Sequence, residues 1–328
     1  MADIARETGL TLGTVSRALN TEGKYAIAPE TRERVLAVAS RLDYRPNLIG
    51  RALAAGSASL VLLISPDPFS PYYVEISRYL SAQAAGHGFT FLSGGKLPVD
   101  GAKGIPANDW FYGVDGIVVC DYLPHQEAYI VEALRLKIPI VGLGVRHPFP
   151  TDFVKVDLYS ASKILMEHLI DQGCRNVAMT NSPGSNPEDP RMRAYHEAIS
   201  ENDRMPNVIM CRDQSRASGR RAILEHYQNQ GPIDGLFCEN DVLAVGAYRG
   251  LTDLGVRVPD DVLLAGCDGI DDALYQRTPL TTLVQPLERM CEVAWNMLQA
   301  RIEGSKEPPR LEVVAATLEK RASTATGR

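Results

Sequence analysis

Between Thr11 and Arg17 the chain sets short hydroxyls and one guanidinium at a spacing that suits nucleic acid. Read as a helix, TLGTVSRAL turns Val15 and Leu19, one turn apart, toward a partner helix. Leu12, Gly13, Thr14, Ser16 and Arg17 are left facing outward. Hydroxyls and an arginine are the groups that phosphate oxygens and base edges recruit. Thr11 stands at an N-cap position, where its hydroxyl can accept an amide of the first turn. A second polar set lies deeper in the chain. Asn240 and Asp241 follow the apolar run GLFC, and Asp268 follows VLLAG. An Asn there is an ordinary cap for a helix over 242–254, and an Asp beside Gly269 is an ordinary turn residue. Both are also placed to bind, because ligands of parallel sheets lie beyond the strands' carboxyl ends and a carboxylate accepts two hydroxyls at once.

The elements that would carry these groups fall into two kinds. Ile4 and Ala5 give a first short helix its apolar side, and Gly9 supplies the left-handed backbone of a tight turn before the second. PETRERVLAVASRL (29–42) predicts a third helix with Pro29 at its first position and Glu30 and Glu33 near the positive end of its dipole. Val35, Val38, Ala39 and Leu42 form its apolar stripe. Pro46 stops it. NLIGRALAAGSAS (47–59) is too short for a stable isolated helix, and Gly50 weakens it by roughly 1 kcal/mol relative to Ala. Such a segment can fold on a partner and unfold without it.

From residue 60 the pattern changes to buried parallel strands at 60–65, 89–93, 116–120, 138–143, 176–180, 208–211, 235–238 and 262–266. Amphipathic helices lie between most of them, for example at 158–172 and 286–302. This is α/β architecture with too many strands for one small sheet, so two similar halves are expected. The Gly- and Pro-rich stretch 94–112 carries no clear element.

TVSRALN, PETRERV and YRPNLIGRALAAGSAS, in this order and spacing, resemble the LacI/GalR (lactose-repressor) family of bacterial transcription regulators. Blocks in the body, including ENDVLAVGAYRGLTDLGVRVPDDVLLAGCDG and LTTLVQP, extend the resemblance along the chain. The resemblance implies an N-terminal all-α helix-turn-helix DNA-binding domain plus an α/β two-lobed periplasmic-binding-protein-like (type I) ligand domain. Leu12, Gly13 and Arg17 then match base-reading positions, and Thr14 and Ser16 match phosphate contacts. Asn47 joins the DNA contacts, and Leu53, in the hinge helix, matches the residue that wedges into the minor groove and kinks the operator. Gly13 departs from relatives that carry a side chain there. In the cleft, Asn240, Asp268 and Arg191 match effector contacts, Tyr72 and Tyr73 an aromatic pair at the mouth, and Gln214 and Gln285 weaker candidates. Gln214 stands where some relatives stack an aromatic on a sugar.

The expected domains are 1–45 (helix-turn-helix), 46–59 (hinge), 60–321 (effector binding and dimerisation) and a tail, 322–328. The lobes would comprise 60–149 with 281–307, and 151–278 with 309–321, with crossings near 150, 279 and 307. Net charge is −6, but residues 1–56 hold eight Lys and Arg against six Asp and Glu, or +2. An acidic body with a mildly basic head suits a protein that meets double-stranded operator DNA at one end, with two heads acting together. No leucine heptad follows the body, so a homodimer is expected.

Six scattered cysteines and six histidines without ligand-like spacing predict reduced thiols and no metal; no cofactor is implied. With no signal peptide and no apolar run near ~18 residues, no membrane partner is expected, and the place of action is the cytoplasm, at the nucleoid. The effector expected is a sugar or sugar derivative, with a nucleoside or purine second. A solute-binding receptor would have no use for residues 1–56. An enzyme lacks support, since no G-x-G-x-x-G follows LVLLISPD and no Ser-His-Asp motif occurs.

Overall fold

The computed structural model describes residues 1–19, 27–44, 59–94, 113–183 and 188–325. It divides into two units, Met1–Ala58 and Ser59–Arg328. The stretch 94–112, beyond Gly94, lies outside the described residues, as does the hinge over 46–58.

The first unit holds α1 (Ala2–Thr8), α2 (Leu12–Leu19) and α3 (Pro29–Arg41). Gly9 closes α1 at φ +63°, which an L side chain adopts only with strain. The Thr11 hydroxyl accepts the Thr14 amide at 3.2 Å and so caps α2. Ile4, Val15, Ala18, Val35 and Ala39 form the buried core, with Leu19 and Val38 partly buried around it. Leu42 does not complete the α3 stripe: it caps the helix end and is 39% exposed.

The second unit contains two six-stranded sheets. Sheet one is built from β1 (Leu60–Ile64), β2 (Thr90–Gly94), β3 (Gly116–Cys120), β4 (Ile140–Gly144), β5 (Asp152–Asp157) and β11 (Leu311–Ala315), in the order β11-β5-β4-β3-β1-β2. Sheet two is built from β6 (Val177–Asn181), β7 (Asn207–Met210), β8 (Gly235–Phe237), β9 (Leu263–Asp268), β10 (Thr281–Val284) and β12 (Thr317–Glu319), in the order β12-β10-β9-β8-β6-β7. Strand pairs are parallel except β10–β12. Helices α4 (Pro71–Gly86), α5 (Glu127–Arg135) and α11 (Leu287–Ile302) cover sheet one. Helices α6 (Leu158–Asp171), α7 (Pro190–Glu201), α8 (Arg216–Asn229), α9 (Asp241–Asp253) and the short α10 (Asp271–Leu274) belong to sheet two.

Four expectations need correction. The chain crosses between lobes at Asp157–Leu158, near Gln285 and at Ala316, not near 150, 279 and 307. β5 and β11 therefore belong to lobe one, and β10 to lobe two. β5 (DFVKVD) alternates buried and outward residues with charges among them, so it lacks the continuous apolar run of a central parallel strand. β2 and β7, expected to be buried, are edge strands, with Leu92 half exposed and Met210 60% exposed. Residues 322–325 are no free tail. Ser323 and Thr324 are buried on lobe two, where the Thr281 amide donates to Ser323 Oγ at 2.8 Å and Thr324 Oγ1 lies 2.9 Å from His168 Nε2.

Candidate functional site

The outward face of α2 carries the groups anticipated for DNA. Thr11, Leu12, Gly13, Ser16 and Arg17 are exposed, and Thr14 is half-buried. Leu12 is 54% exposed, which leaves its side chain open to contact with thymine methyls or sugars. The Thr11 and Thr14 hydroxyls lie 2.9 Å apart, so both are held in place by the cap. Arg17 Nε donates to the Gly13 carbonyl at 3.1 Å, folding the guanidinium back along the helix. A Cβ at Gly13 would meet nothing nearer than 3.8 Å, so neither packing nor backbone requires glycine there. Asn47 and Leu53 lie outside the described residues.

In the second unit the strands' carboxyl ends gather polar groups where the two lobes meet. The buried Tyr72 and Tyr73 open α4 in lobe one, with rings edge-on at 5.0 Å. Tyr72 OH donates to Gln285 Oε1 at 3.0 Å, and Gln285 Nε2 donates to Asp268 Oδ1 at 2.9 Å. Gln285 sits at a crossing, so this chain of bonds ties lobe one to the end of β9 in lobe two. Tyr73 OH donates to Asp121 Oδ2 at 3.3 Å, and the Val145 amide donates to Asp121 Oδ1 at 3.0 Å. Three of the expected residues, Tyr72, Gln285 and Asp268, thus share one hydrogen-bonded chain, and Tyr73, bonded to Asp121, meets it through the edge contact of its ring with Tyr72.

Arg191 reaches the same region from the first turn of α7. Its Nε and Nη2 grip Asp189 at 3.0 and 2.7 Å, and Nη1 donates to the Glu239 carbonyl at 2.5 Å. Asn240 caps α9 by accepting the Leu243 amide at 2.8 Å, so its Oδ1 is committed to the helix. Gln214 is exposed in the turn before α8, and the structure does not draw it into this network.

The electrostatics follow from burial. Loss of solvent pushes the Asp268 carboxyl well above the usual range; Asp241 and Asp121 push further, while Arg191 opposes. Burial likewise raises Asp121, against its hydrogen bond from Val145 and the pull of Arg191. Asp241, noted in the sequence only as a neighbour of Asn240, is fully buried. It accepts the Gly269 and Ile270 amides at 2.8 and 3.0 Å and the Thr282 hydroxyl at 2.7 Å. Burial nevertheless pushes it up to about 7.

The lobes repeat one device. In lobe one, Asp121 holds the amide that follows Gly144, which ends β4 at φ +115°. In lobe two, Asp241 holds the amide that follows Asp268, which ends β9 at φ +116°. β4 and β9 occupy the same place in their sheets. A conformation given to glycine in one lobe is forced on an aspartate in the other, at a cost on the order of 1–3 kcal/mol. Strain of this kind persists where a side chain is needed at that spot. The sequence missed Asp121, Asp189 and Glu239 as site residues. Asp121 and Glu239 follow the runs GIVVC and GLFC at strand ends, the signal that had already marked Asp268.

Comparison with known proteins gives two domain matches. Residues 1–47 match the bacterial regulatory proteins of the lacI family, and residues 166–324 match a periplasmic binding protein-like domain. The ribose operon repressor of Halalkalibacterium halodurans is 29% identical over 311 residues, spanning 92% of this chain and 89% of that protein. The HTH-type transcriptional repressor PurR of Edwardsiella ictaluri is 27% identical over 332 residues, 99% and 96% of the two chains. The lac repressor dimer bound to operator and the anti-inducer ONPF shares the fold with a TM-score of 0.83 at 23% identity, covering 99% of this chain and 98% of that one.

Proposed function

The chain belongs to the LacI family of bacterial regulatory proteins, and we propose from that premise that its cleft takes a small polyhydroxylated effector, a sugar or sugar derivative. The protein is a DNA-binding transcription regulator and not an enzyme. Two copies present two α2 helices to a near-palindromic operator, with Arg17 and Leu12 against base edges and Thr14 and Ser16 against phosphates. Repression takes place in the cytoplasm, at the nucleoid.

The observation that carries the effector reading is the bonded chain Tyr72–Gln285–Asp268, which spans the two lobes at a crossing. Each member can exchange its present partner for a ligand hydroxyl. A ligand that takes Asp268 and Gln285 therefore alters what holds the lobes together, and coupling of this type is typically ~1–3 kcal/mol. The relative named for the ribose operon supports a sugar. Among the described residues no helix is long and apolar enough to cross a membrane.

The test is selection of operator duplexes by the purified protein, followed by fluorescence anisotropy with sugars and nucleosides. A sugar that shifts operator affinity 5- to 150-fold, on the order expected for such coupling, supports the reading. Unchanged affinity with every sugar, or a response to nucleosides alone, overturns it.

A further inference from the structure

The balance of charge in the cleft narrows the class of effector, and the narrowing rests on the effector reading above. On top of burial, Asp121 from lobe one raises the Asp268 carboxyl of lobe two, and both act on Tyr72 and Tyr73 between them. Arg191 is the cation felt by both, but it is already gripped by both oxygens of Asp189. Among the described residues every other donor to the two carboxylates is neutral: the Tyr73 hydroxyl, the Val145 amide, the Cys120 thiol and the Gln285 amide. Two carboxylates drawn from water without a cation of their own among the described residues are held toward the protonated form, and a cation between them would restore the charged one.

A second observation points the same way. Ser65, at the carboxyl end of β1, is fully buried, and its Oγ has no hydrogen-bond partner. It shares a face of the strand with Leu63, which packs in one apolar cluster with Cys120, Tyr72 and Tyr73. β1 and β3 are neighbours with Ile64 beside Val119, so Ser65 stands next to the strand end that carries Cys120 and Asp121. An unpaired buried hydroxyl next to unpaired charge is a place prepared for a polar guest.

We propose that the effector carries a positively charged nitrogen seated between Asp121 and Asp268, and that phosphorylated or carboxylated forms of the same molecule are excluded. The chemical class is an amine-bearing polyhydroxylated compound. The ammonium supplies the missing charge to both carboxylates and three donors for their free lone pairs, while ligand hydroxyls meet Gln285, Tyr72 and Ser65. A phosphate in the same place would face Asp121, Asp268 and Asp189 with, among the described residues, a committed arginine as the cation of the cleft.

The test uses the full chain with three matched sets: glucosamine, galactosamine and mannosamine, the neutral parent sugars, and their 6-phosphates. Binding is read by calorimetry and thermal shift. At least one amine is expected to bind tighter than its neutral parent by on the order of tenfold or more, with no binding of any phosphate ester. Asp121→Asn and Asp268→Asn, each checked for folding by circular dichroism, should erase the preference for the amine. The proposal is overturned if neutral sugars bind as tightly as their amines, if a phosphate ester binds, or if no amine binds. Operator anisotropy separates the two readings. An amine that binds without changing DNA affinity sinks the effector role but leaves the charge class standing. A neutral sugar that binds best and releases operator does the reverse.

Discussion

Replacing Asp268 by glycine should make the protein more stable and deaf to its effector. The wild-type residue is held at φ +116°, where the matching position of lobe one has Gly144 at +115°. Relief of that backbone strain is worth about 1–3 kcal/mol. Against it stand roughly 0.5–1 kcal/mol for the greater freedom of glycine in the unfolded chain and about 1 kcal/mol for the lost bond from Gln285. These contributions nearly cancel, leaving between a loss of about 1 and a gain of about 1.5 kcal/mol, so the stabilisation expected of the variant is carried by removal of the buried carboxyl. Removing the carboxyl adds a pH dependence. The folded pKa is raised above 3.8, so the folded state holds its proton more tightly than the unfolded state does. That advantage is complete below 3.8 and is lost as pH climbs toward the folded pKa, so the gain in the variant is larger at pH 8 than at pH 4. Differential scanning calorimetry at both pH values, with operator anisotropy plus and minus effector, reads both effects. A lower Tm at pH 8, or an intact effector response, would refute the argument that strain is stored here for binding.

Gly13→Ala should stabilise α2 by about 0.5–1 kcal/mol, since the new Cβ meets ordinary contacts at 3.8 Å or more. Urea denaturation checks this, and an unchanged or lower midpoint contradicts it. Gly246→Ala should do the opposite by about 2–4 kcal/mol, because a Cβ there would lie 2.0 Å from the Arg216 carbonyl in the tight crossing of α8 and α9. A loss under 0.5 kcal/mol would show that the two helices can part. Asp241→Asn should flatten the pH profile of stability. With Asp241 raised by burial from 3.8 to about 7, against the Thr282 hydroxyl, the Ile270 and Gly269 amides and Arg321, wild type loses stability relative to the variant as pH rises from 4 to 7. Parallel melting curves at every pH would remove the basis for this assignment. Arg191→Lys should weaken effector binding while leaving operator binding in place, since a lysine cannot reproduce the two-pronged grip on Asp189. Equal affinity in calorimetry would mean that the fork has no part in the cleft.

What the sequence revealed and what it hid divide along one physical line. Helices with strong periodicity were legible to within a residue or so: 29–42 against Pro29–Arg41, and 286–302 against Leu287–Ile302. The eight apolar runs from 60 to 266 each became a strand: six are central parallel strands, which must be apolar on both faces, while β2 and β7 lie at sheet edges. The four strands that escaped fail that condition. β5 alternates with charges, β11 exposes Leu311 and Val313, and β10 and β12 are four and three residues long. All four border crossings, so missing them displaced the lobe boundaries. The cleft residues read from family positions came with their identities but not their partners. Asp121 escaped because an Asp after a strand is an ordinary turn residue, and nothing local to the sequence says that Tyr73 will lie 3.3 Å from it.

Gln285 explains how a ligand could reach the rest of the fold. It is buried at 5% exposure, at a point where the chain leaves sheet two for α11 and lobe one. An amide there both donates and accepts, and here it does each toward a different lobe: it accepts from Tyr72 and donates to Asp268. A carboxylate at this position could not donate, and an ammonium could not accept. The side chain therefore reports on both lobes at once, which neither Asp121 nor Arg191 does through its hydrogen bonds. Gln285→Glu keeps the shape but removes the donor and adds a third negative group beside Asp268. It should separate the lobes' behaviour from their stability: two calorimetric transitions in place of one, with the effector no longer shifting operator affinity. A single transition with a normal effector response would mean that the lobes communicate through the other two crossings instead, at Asp157–Leu158 and Ala316.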